Sequence, residues 1–245
     1  METVGYRERP PPTELRELVE CAWVMDGPCG PVRVLPDGCM DLIRMDGRVV
    51  VAGPDTGASI SQHGAEPLNG LRFRPGMLPR LLGVPAAALR NSRVPLADLG
   101  LPAAQRGSLV GLATALAAGA PSGETAQWSM TLLGHITRSF ASGAAVARVA
   151  DQIGWSSRTL QRQCTAVYGY GPATLRRILR FQRALQLMDL GASYAEAAAA
   201  AGYSDQPHLH REVRDLSGTG LSTLRQGSSG ANRSTQFPSG SATVA

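Results

Sequence analysis

Residues 145–162 read A-V-A-R-V-A-D-Q-I-G-W-S-S-R-T-L-Q-R, and residues 194–211 read Y-A-E-A-A-A-A-A-G-Y-S-D-Q-P-H-L-H-R. The two stretches share the pattern Ala-x-x-x-Gly-aromatic-Ser-x-x-x-Leu-x-Arg. Ala150, Gly154, Trp155, Ser156, Leu160 and Arg162 carry it in the first, and Ala198, Gly202, Tyr203, Ser204, Leu209 and Arg211 in the second, which has one extra residue before its leucine. In the first copy Val146, Val149, Ala150 and Ile153 recur at helical spacing and make one apolar stripe. Gly154 ends that helix, because glycine takes the left-handed conformation at no steric cost. Ser156 or Ser157 then caps a second helix by accepting a bond from its free amides. Leu160, Cys164 and Val167 fall on the inner face of that helix, and Arg158, Gln161, Arg162 and Thr165 on the outer face. Two short helices joined at a glycine turn, the second with a donor-rich outer face, describe a helix-turn-helix whose second helix enters the DNA major groove.

The outer residues have suitable chemistry. Arginine binds guanine bidentately, glutamine binds adenine, and each good pair is worth about 1–3 kcal/mol of discrimination. The second copy places Gln206, His208, Arg211 and Arg214 outward and Leu209, Val213 and Leu216 inward. Pro172 opens a long helix between the copies, ending near Gly191, with Leu175, Ile178, Leu179, Leu185 and Met188 on one side and Arg176, Arg177, Arg180 and Arg183 on another. That helix is expected to hold two reading heads apart, with Arg176, Arg177 and Arg180, together with Ser157 and Thr159, gripping phosphates.

Bulk properties agree. The net charge is +5 and all 24 basic residues are arginine. Residues 145–226 hold ten arginines against six acidic residues, which is most of the excess. The alanine- and glycine-rich composition of a GC-rich genome accounts for the missing lysines, so charge alone is a weak pointer to an anionic partner. No apolar run approaches the ~18 residues of a membrane span. The N-terminus lacks the apolar stretch of a secretory signal, so a cytoplasmic, nucleoid-associated protein is expected. Cys21, Cys29, Cys39 and Cys164 form neither a C-x-x-C pair nor a disulfide framework, and no metal or cofactor is expected. No P-loop, H-E-x-x-H or G-x-S-x-G occurs, so the chain reads as a non-enzyme.

The overall expectation is an α+β protein. A small β-rich domain spans residues 1–95, a helical connector 96–142, an all-α tandem helix-turn-helix domain 143–227, and a disordered tail 228–245. The strand-length segments are Val19 to Met25, Val32 to Leu35, Met40 to Met45, Arg48 to Ala52 and Leu68 to Phe73, with a hairpin turn at Asp46-Gly47. Helices are expected from Thr13 to Leu18, Pro85 to Arg90, Pro102 to Ala118 and Glu124 to Phe140, the last two separated by Pro121-Ser122-Gly123. Asp37, Asp41, Arg72 and Arg74 are candidates for a polar ligand pocket. The bland alternative makes Asp37 a turn residue and the arginines a solvated strand face.

These motifs resemble the AraC/XylS family of bacterial transcription regulators. The second unit carries Gly202-Tyr203-Ser204-Asp205, Leu209, Arg211, Gly218 and Arg225. The first carries Leu160-Gln161-Arg162, Gly169, Pro172 and the run from Arg180 to Leu185. Leu35 to Ile43, Val51 to Pro54 and Arg72 to Gly76 are similar to the small β-rich domain of actinobacterial members. The resemblance implies base contacts from Arg158, Gln161 and Arg162, and from Gln206, His208 and Arg211. It implies double-stranded DNA as partner, with RNA polymerase, a small-molecule effector and a homodimer as further partners. Cys164, Leu209, Val213, Leu221 and Leu224 replace residues that the family usually has as aromatics or proline, so the second unit is expected to be the weaker head. Two other readings stand beside this one. In one, a cysteine alkyl acceptor centred on Cys39, or a thiol sensor built on Cys21, Cys29 and Cys39, is fused to the DNA-binding part; in the other, the tandem units serve protein packing.

Overall fold

The computed structural model describes residues 5–26, 31–61, 66–101, 107–119 and 128–227. Eight strands are described: β1 Gly5–Arg9, β2 Val19–Asp26, β3 Val32–Val34, β4 Met40–Met45, β5 Arg48–Ala52, β6 Ser59–Ser61, β7 Leu68–Phe73 and β8 Arg93–Pro95. Six of them form an antiparallel sheet in the order β1-β2-β7-β4-β5-β8, and β3 and β6 pair separately as a two-stranded ribbon. The five strands expected from apolar runs are present. β1, β6 and β8 are additional; their short, polar sequences carry little strand signal. Asp46 (φ 50°) and Gly47 (φ 72°) turn the β4–β5 hairpin as expected, both taking the positive φ that a two-residue turn demands.

The pleat gives the sheet two different faces. Met40, Leu42, Val49, Val51, Leu71 and Phe73 point into the main core. Cys21, Trp23, Met25 and Leu68 point to the other side, where Val32 of the ribbon joins them. Gly70 lies beneath the Trp23 indole. A Cβ there would stand 2.3–2.6 Å from three indole atoms, so only glycine lets the ring lie across β7.

The helices are α1 Leu78–Leu82, α2 Leu109–Ala118, α3 Met130–Ala141, α4 Val146–Gln152, α5 Ser157–Tyr168, α6 Pro172–Asp189, α7 Tyr194–Ala200, α8 Gln206–Ser217 and α9 Leu221–Gly227. The early helices expected after Pro12 and Pro85 are single 3-10 turns, Thr13–Leu15 and Ala86–Leu89. Helix α2 begins at Leu109, capped by Ser108, and α3 at Met130, capped by Ser129. The sequence-based starts of both, at Pro102 and Glu124, lie outside the described residues, as do Pro121-Ser122-Gly123, Cys29 and the 228–245 tail.

One continuous apolar core runs from the sheet into the C-terminal helices. The β3–β4 loop docks on α6: the buried Gln182 Nε2 donates to Pro36 O at 2.7 Å, and Gly38 sits against Leu179 and Tyr170. The ribbon docks on the end of α8. Ala58 N donates to Leu216 O at 2.8 Å, and Arg33 Nη1 to Ser217 O at 2.7 Å. Trp128, buried beside α5, stacks edge-on against Trp155 and Tyr168 and donates to Gln163 Oε1.

Candidate nucleic-acid interface and inner cavity

Each repeat folds as its residues require. Gly154 (φ 70°) and Gly202 (φ 76°) make the two left-handed turns. Ser156, rather than Ser157, caps α5, its Oγ accepting from Thr159 N at 3.1 Å. Asp205 caps α8, its Oδ1 accepting from His208 N at 2.6 Å. Pro207 stands in the first turn of α8, where no amide hydrogen is needed. Helix α7 opens with a reciprocal capping box between Ser193 and Glu196.

The inner faces are closed. Leu160, Cys164 and Val167 are buried in the first unit, and Leu209, Val213, Leu216 and Leu221 in the second. The outer face of α5 exposes Ser157, Arg158, Gln161 and Arg162, while Thr159 is half-buried and shares a hydrogen bond with Ser156. The outer face of α8 exposes Gln206, His210, Arg211 and Arg214. His208 is turned back onto its own cap, with Nδ1 3.1 Å from Ser204 Oγ and its ring edge-on to Tyr203. His210, one turn after Gln206 and 3.4 Å from it, shares the exposed face. Its i+4 spacing from Gln206 is legible in the sequence.

The three arginines expected to grip phosphates are each engaged within the protein. Arg180 is buried: its Nε donates to Ala201 O at 3.0 Å, its Nη2 to Gly202 O at 2.6 Å, and its guanidinium lies over the Tyr203 ring. It holds the second unit's turn and cannot reach a phosphate. Arg176 donates to the carbonyls of Gly143 and Ala144, at the entry to the first unit. Arg177 pairs with Glu212 at 2.7 Å and lies 3.7 Å from Asp215, tying α6 to α8. One long helix thus braces both heads with three arginines. Helical periodicity placed them on a basic face, but it does not say what each bonds to: Arg180 is buried against the second unit's turn, while Arg176 and Arg177 are half-exposed and tied to the loop before α4 and to α8.

Of the four candidate pocket residues, the structure brings two to a cavity. A space of about 670 Å³ lies between the sheet's second face and the β3–β6 ribbon. Asp41 and Arg72 line it, with Tyr6, Trp23, Asp55 and Arg93 among the residues missed from sequence. Asp37 lies beside it as a turn residue: its Oδ1 accepts from Cys39 N at 2.8 Å while its Oδ2 faces Arg72. Arg74 is half-exposed and pairs with Glu20 at 2.8 Å, away from the lining. Arg72 is buried and not a solvated strand residue. It contacts Glu8, Asp37 and Asp41, each at 3.4–3.5 Å. Burial raises the carboxyls of Glu8, Asp37 and Asp41 against the pull of Arg72, that of Asp41 to about 6. Trp23 was detectable, since it alternates with Cys21 and Met25 on one face of β2.

Burial also pushes the Cys21 and Cys39 thiols up, and nearby carboxylates push further. Alkyl transfer and thiol sensing need the thiolate, so both residues are poor nucleophiles where they stand.

Two capped helices, each with an exposed donor face and braced on one long helix, define a DNA-binding protein of the tandem helix-turn-helix class. Residues 149–227 match the model of a helix-turn-helix domain family, and residues 7–95 match a domain of unknown function, DUF6597. The chain carries an AraC-type helix-turn-helix domain and is a DNA-binding transcription regulator. No curated protein matches it. Among solved structures it is similar to ToxT from Vibrio cholerae in its P21 form, at 8% identity and TM-score 0.46, over 90% of this chain and 97% of that one. It is also similar to ToxT from Vibrio cholerae O395, at 10% identity and TM-score 0.44, over 90% and 96%. A further ToxT structure, bound to (E)-4-(8-methylnaphthalen-1-yl)but-3-enoic acid, gives 9% identity and TM-score 0.44 over 90% and 98%. Likeness at this level carries no weight for function. Among the described residues, no helix is long and apolar enough to cross a membrane.

Proposed function

We propose that the protein reads two successive major-groove segments of its operator with α5 and α8, and that the inner cavity holds the small molecule that regulates it. The observation that carries the first part is the pairing of exposed donors on two capped helices with a single brace, α6, that fixes their separation. Arg158, Gln161 and Arg162 read bases through the first head; Gln206 and Arg211 do so through the second, with His210 alongside. Ser157 lies where the backbone passes the start of α5. The protein acts on the nucleoid in the cytoplasm as a non-catalytic regulator, with RNA polymerase and a second copy of the chain as its protein contacts.

The test is a footprint on the protein's own promoter. Two protected segments about one helical turn apart, ~34–36 Å, are expected. Raising salt from roughly 50 to 200 mM should weaken binding by ~10³ or more. A salt-insensitive or absent footprint sinks this reading and favours tandem units used only for protein packing.

A further inference from the structure

The cavity is roofed by the β3–β6 ribbon and floored by the sheet. Its walls are largely apolar: Met25, Val32, Ile43 and Val50 line it together with Trp23 and Tyr6. The two aromatic rings lie 5.8 Å apart at 37° to each other. A volume of ≈ 670 Å³ falls within the range of ordinary small-molecule sites.

The charges around that space are unbalanced. The guanidinium of Arg72 is contacted by three carboxylates, Glu8, Asp37 and Asp41. The other arginine of the lining, Arg93, is held by both oxygens of Asp55, at 3.3 and 2.9 Å. Among the described residues, four carboxylates therefore share two guanidiniums. An incoming anion would have to displace a carboxylate from an arginine already engaged, and would meet the remaining acids. Asp41 and Asp55 are paired as well, but Asp41 shares Arg72 with Glu8 and Asp37, so a cation beside it offsets the surplus without displacing a carboxylate. Trp23 serves both needs. Its Nε1 donates to Asp41 Oδ2 at 3.2 Å, fixing that carboxylate, and its indole is a surface on which a cation is attracted by the ring quadrupole.

We infer that this cavity binds an organic cation with an apolar body, such as a quaternary ammonium, phosphonium or alkylamine, between the Trp23–Tyr6 wall and the carboxylates of Asp41 and Asp55. The inference rests on the reading of the cavity as the regulatory site and names its ligand class. It also names where occupancy is felt. The ribbon segment that lines the cavity, Asp55 to Ser61, includes Ala58, whose amide bonds to Leu216 O; Arg33 of β3 holds Ser217 O. Both carbonyls belong to the last turn of α8, so a ligand that shifts the ribbon shifts the second reading head.

The experiment uses the full chain at pH 8, where Asp41 is ionised, and two shape-matched pairs of opposite charge. Tetraphenylphosphonium is compared with tetraphenylborate, and decyltrimethylammonium with decyl sulfate, by titration calorimetry. At least one cation is expected to bind below ~100 μM and roughly ten-fold or more tighter than its anionic twin, a difference of about 1.4 kcal/mol. Asp41→Asn is expected to weaken that cation by roughly ten-fold while affecting the anion little. Should that variant not fold, Trp23→Leu is the second arm and is expected to weaken the cation by three-fold or more. Anions bound as tightly as cations, or no cation bound below ~1 mM, overturns the inference. Promoter binding is measured alongside. A cation that binds and changes affinity for the second half-site supports both the ligand class and the regulatory reading. A cation that binds without changing DNA affinity supports the ligand class and overturns the regulatory reading alone.

Discussion

Arg180 stacks its guanidinium 4.0 Å over the ring centre of Tyr203 while bonding to the carbonyls on either side of the second unit's turn, Ala201 and Gly202. The contact joins the long helix to the second head at its tightest point. A guanidinium suits the place because it is planar enough to stack and carries donors at its rim to satisfy two carbonyls at once, which a lysine cannot do.

Arg180→Ala should therefore destabilise the chain by about 2–4 kcal/mol, since it strips the buried Ala201 carbonyl and the part-buried Gly202 carbonyl of their donor and removes a stacked cation. Urea denaturation measures the loss. The footprint should fail first at the half-site read by α8. The salt slope of DNA binding should stay unchanged at the first half-site; a slope reduced by ~0.9 there would return Arg180 to the role of a phosphate contact.

The exposed arginines should behave oppositely. Arg162→Ala and Arg211→Ala each remove an exposed side chain that is proposed to read a base. Each is expected to cost about 1–3 kcal/mol of operator affinity and to relax specificity at its own half-site. Stability should change by less than ~0.5 kcal/mol. Quantitative gel shifts on operator variants, paired with thermal melts, separate the two effects.

Gly70→Val tests the floor of the cavity. The added side chain enters the space of the Trp23 indole. The indole must leave, at a cost of about 1–3 kcal/mol of overpacking. The emission of Trp23 should shift to the red as it gains water, read against a Trp23→Phe background. An unchanged spectrum would mean that the ring does not lie across β7.

Acidity should stabilise this domain through Asp41. Its carboxyl is raised from an ordinary value near 3.8 to about 6 in the fold, chiefly by burial. A raised carboxyl favours the folded state when protonated. Its contribution is full below about 3.8, fades as the pH rises, and is gone above about 6. Glu8, Glu20 and Asp37 shift in the same direction. Asp41→Asn lacks the titration, so its stability relative to the parent should improve by on the order of 1–3 kcal/mol between pH 4 and 7. Urea midpoints across that range measure it; a constant difference would show that Asp41 titrates normally.

What could be read before folding follows from local chemistry. The glycine turns at 154 and 202, the serine and aspartate caps, the apolar stripes of α4 to α8 and the Asp46-Gly47 hairpin depend on neighbours within a few residues. Residue type and spacing therefore suffice to determine them, and with them the DNA-reading class. The same local rules placed Arg158, Gln161, Arg162, Gln206 and Arg211 on outer faces, where they stand. What lies opposite a residue is a different matter. Arg176, Arg177 and Arg180 looked like a free basic face because a helix records which residues share a side, not what covers it. The partners that cover them are 21 to 35 residues away for Arg180, Arg176 and Arg177. The cavity needed still longer closures: it draws Tyr6, Trp23, Asp41, Arg72 and Arg93 from five strands whose pairing order, β1-β2-β7-β4-β5-β8, is not their order in the chain. Buried charges settle their balance only against one another, and that balance exists only once the sheet and its ribbon have closed.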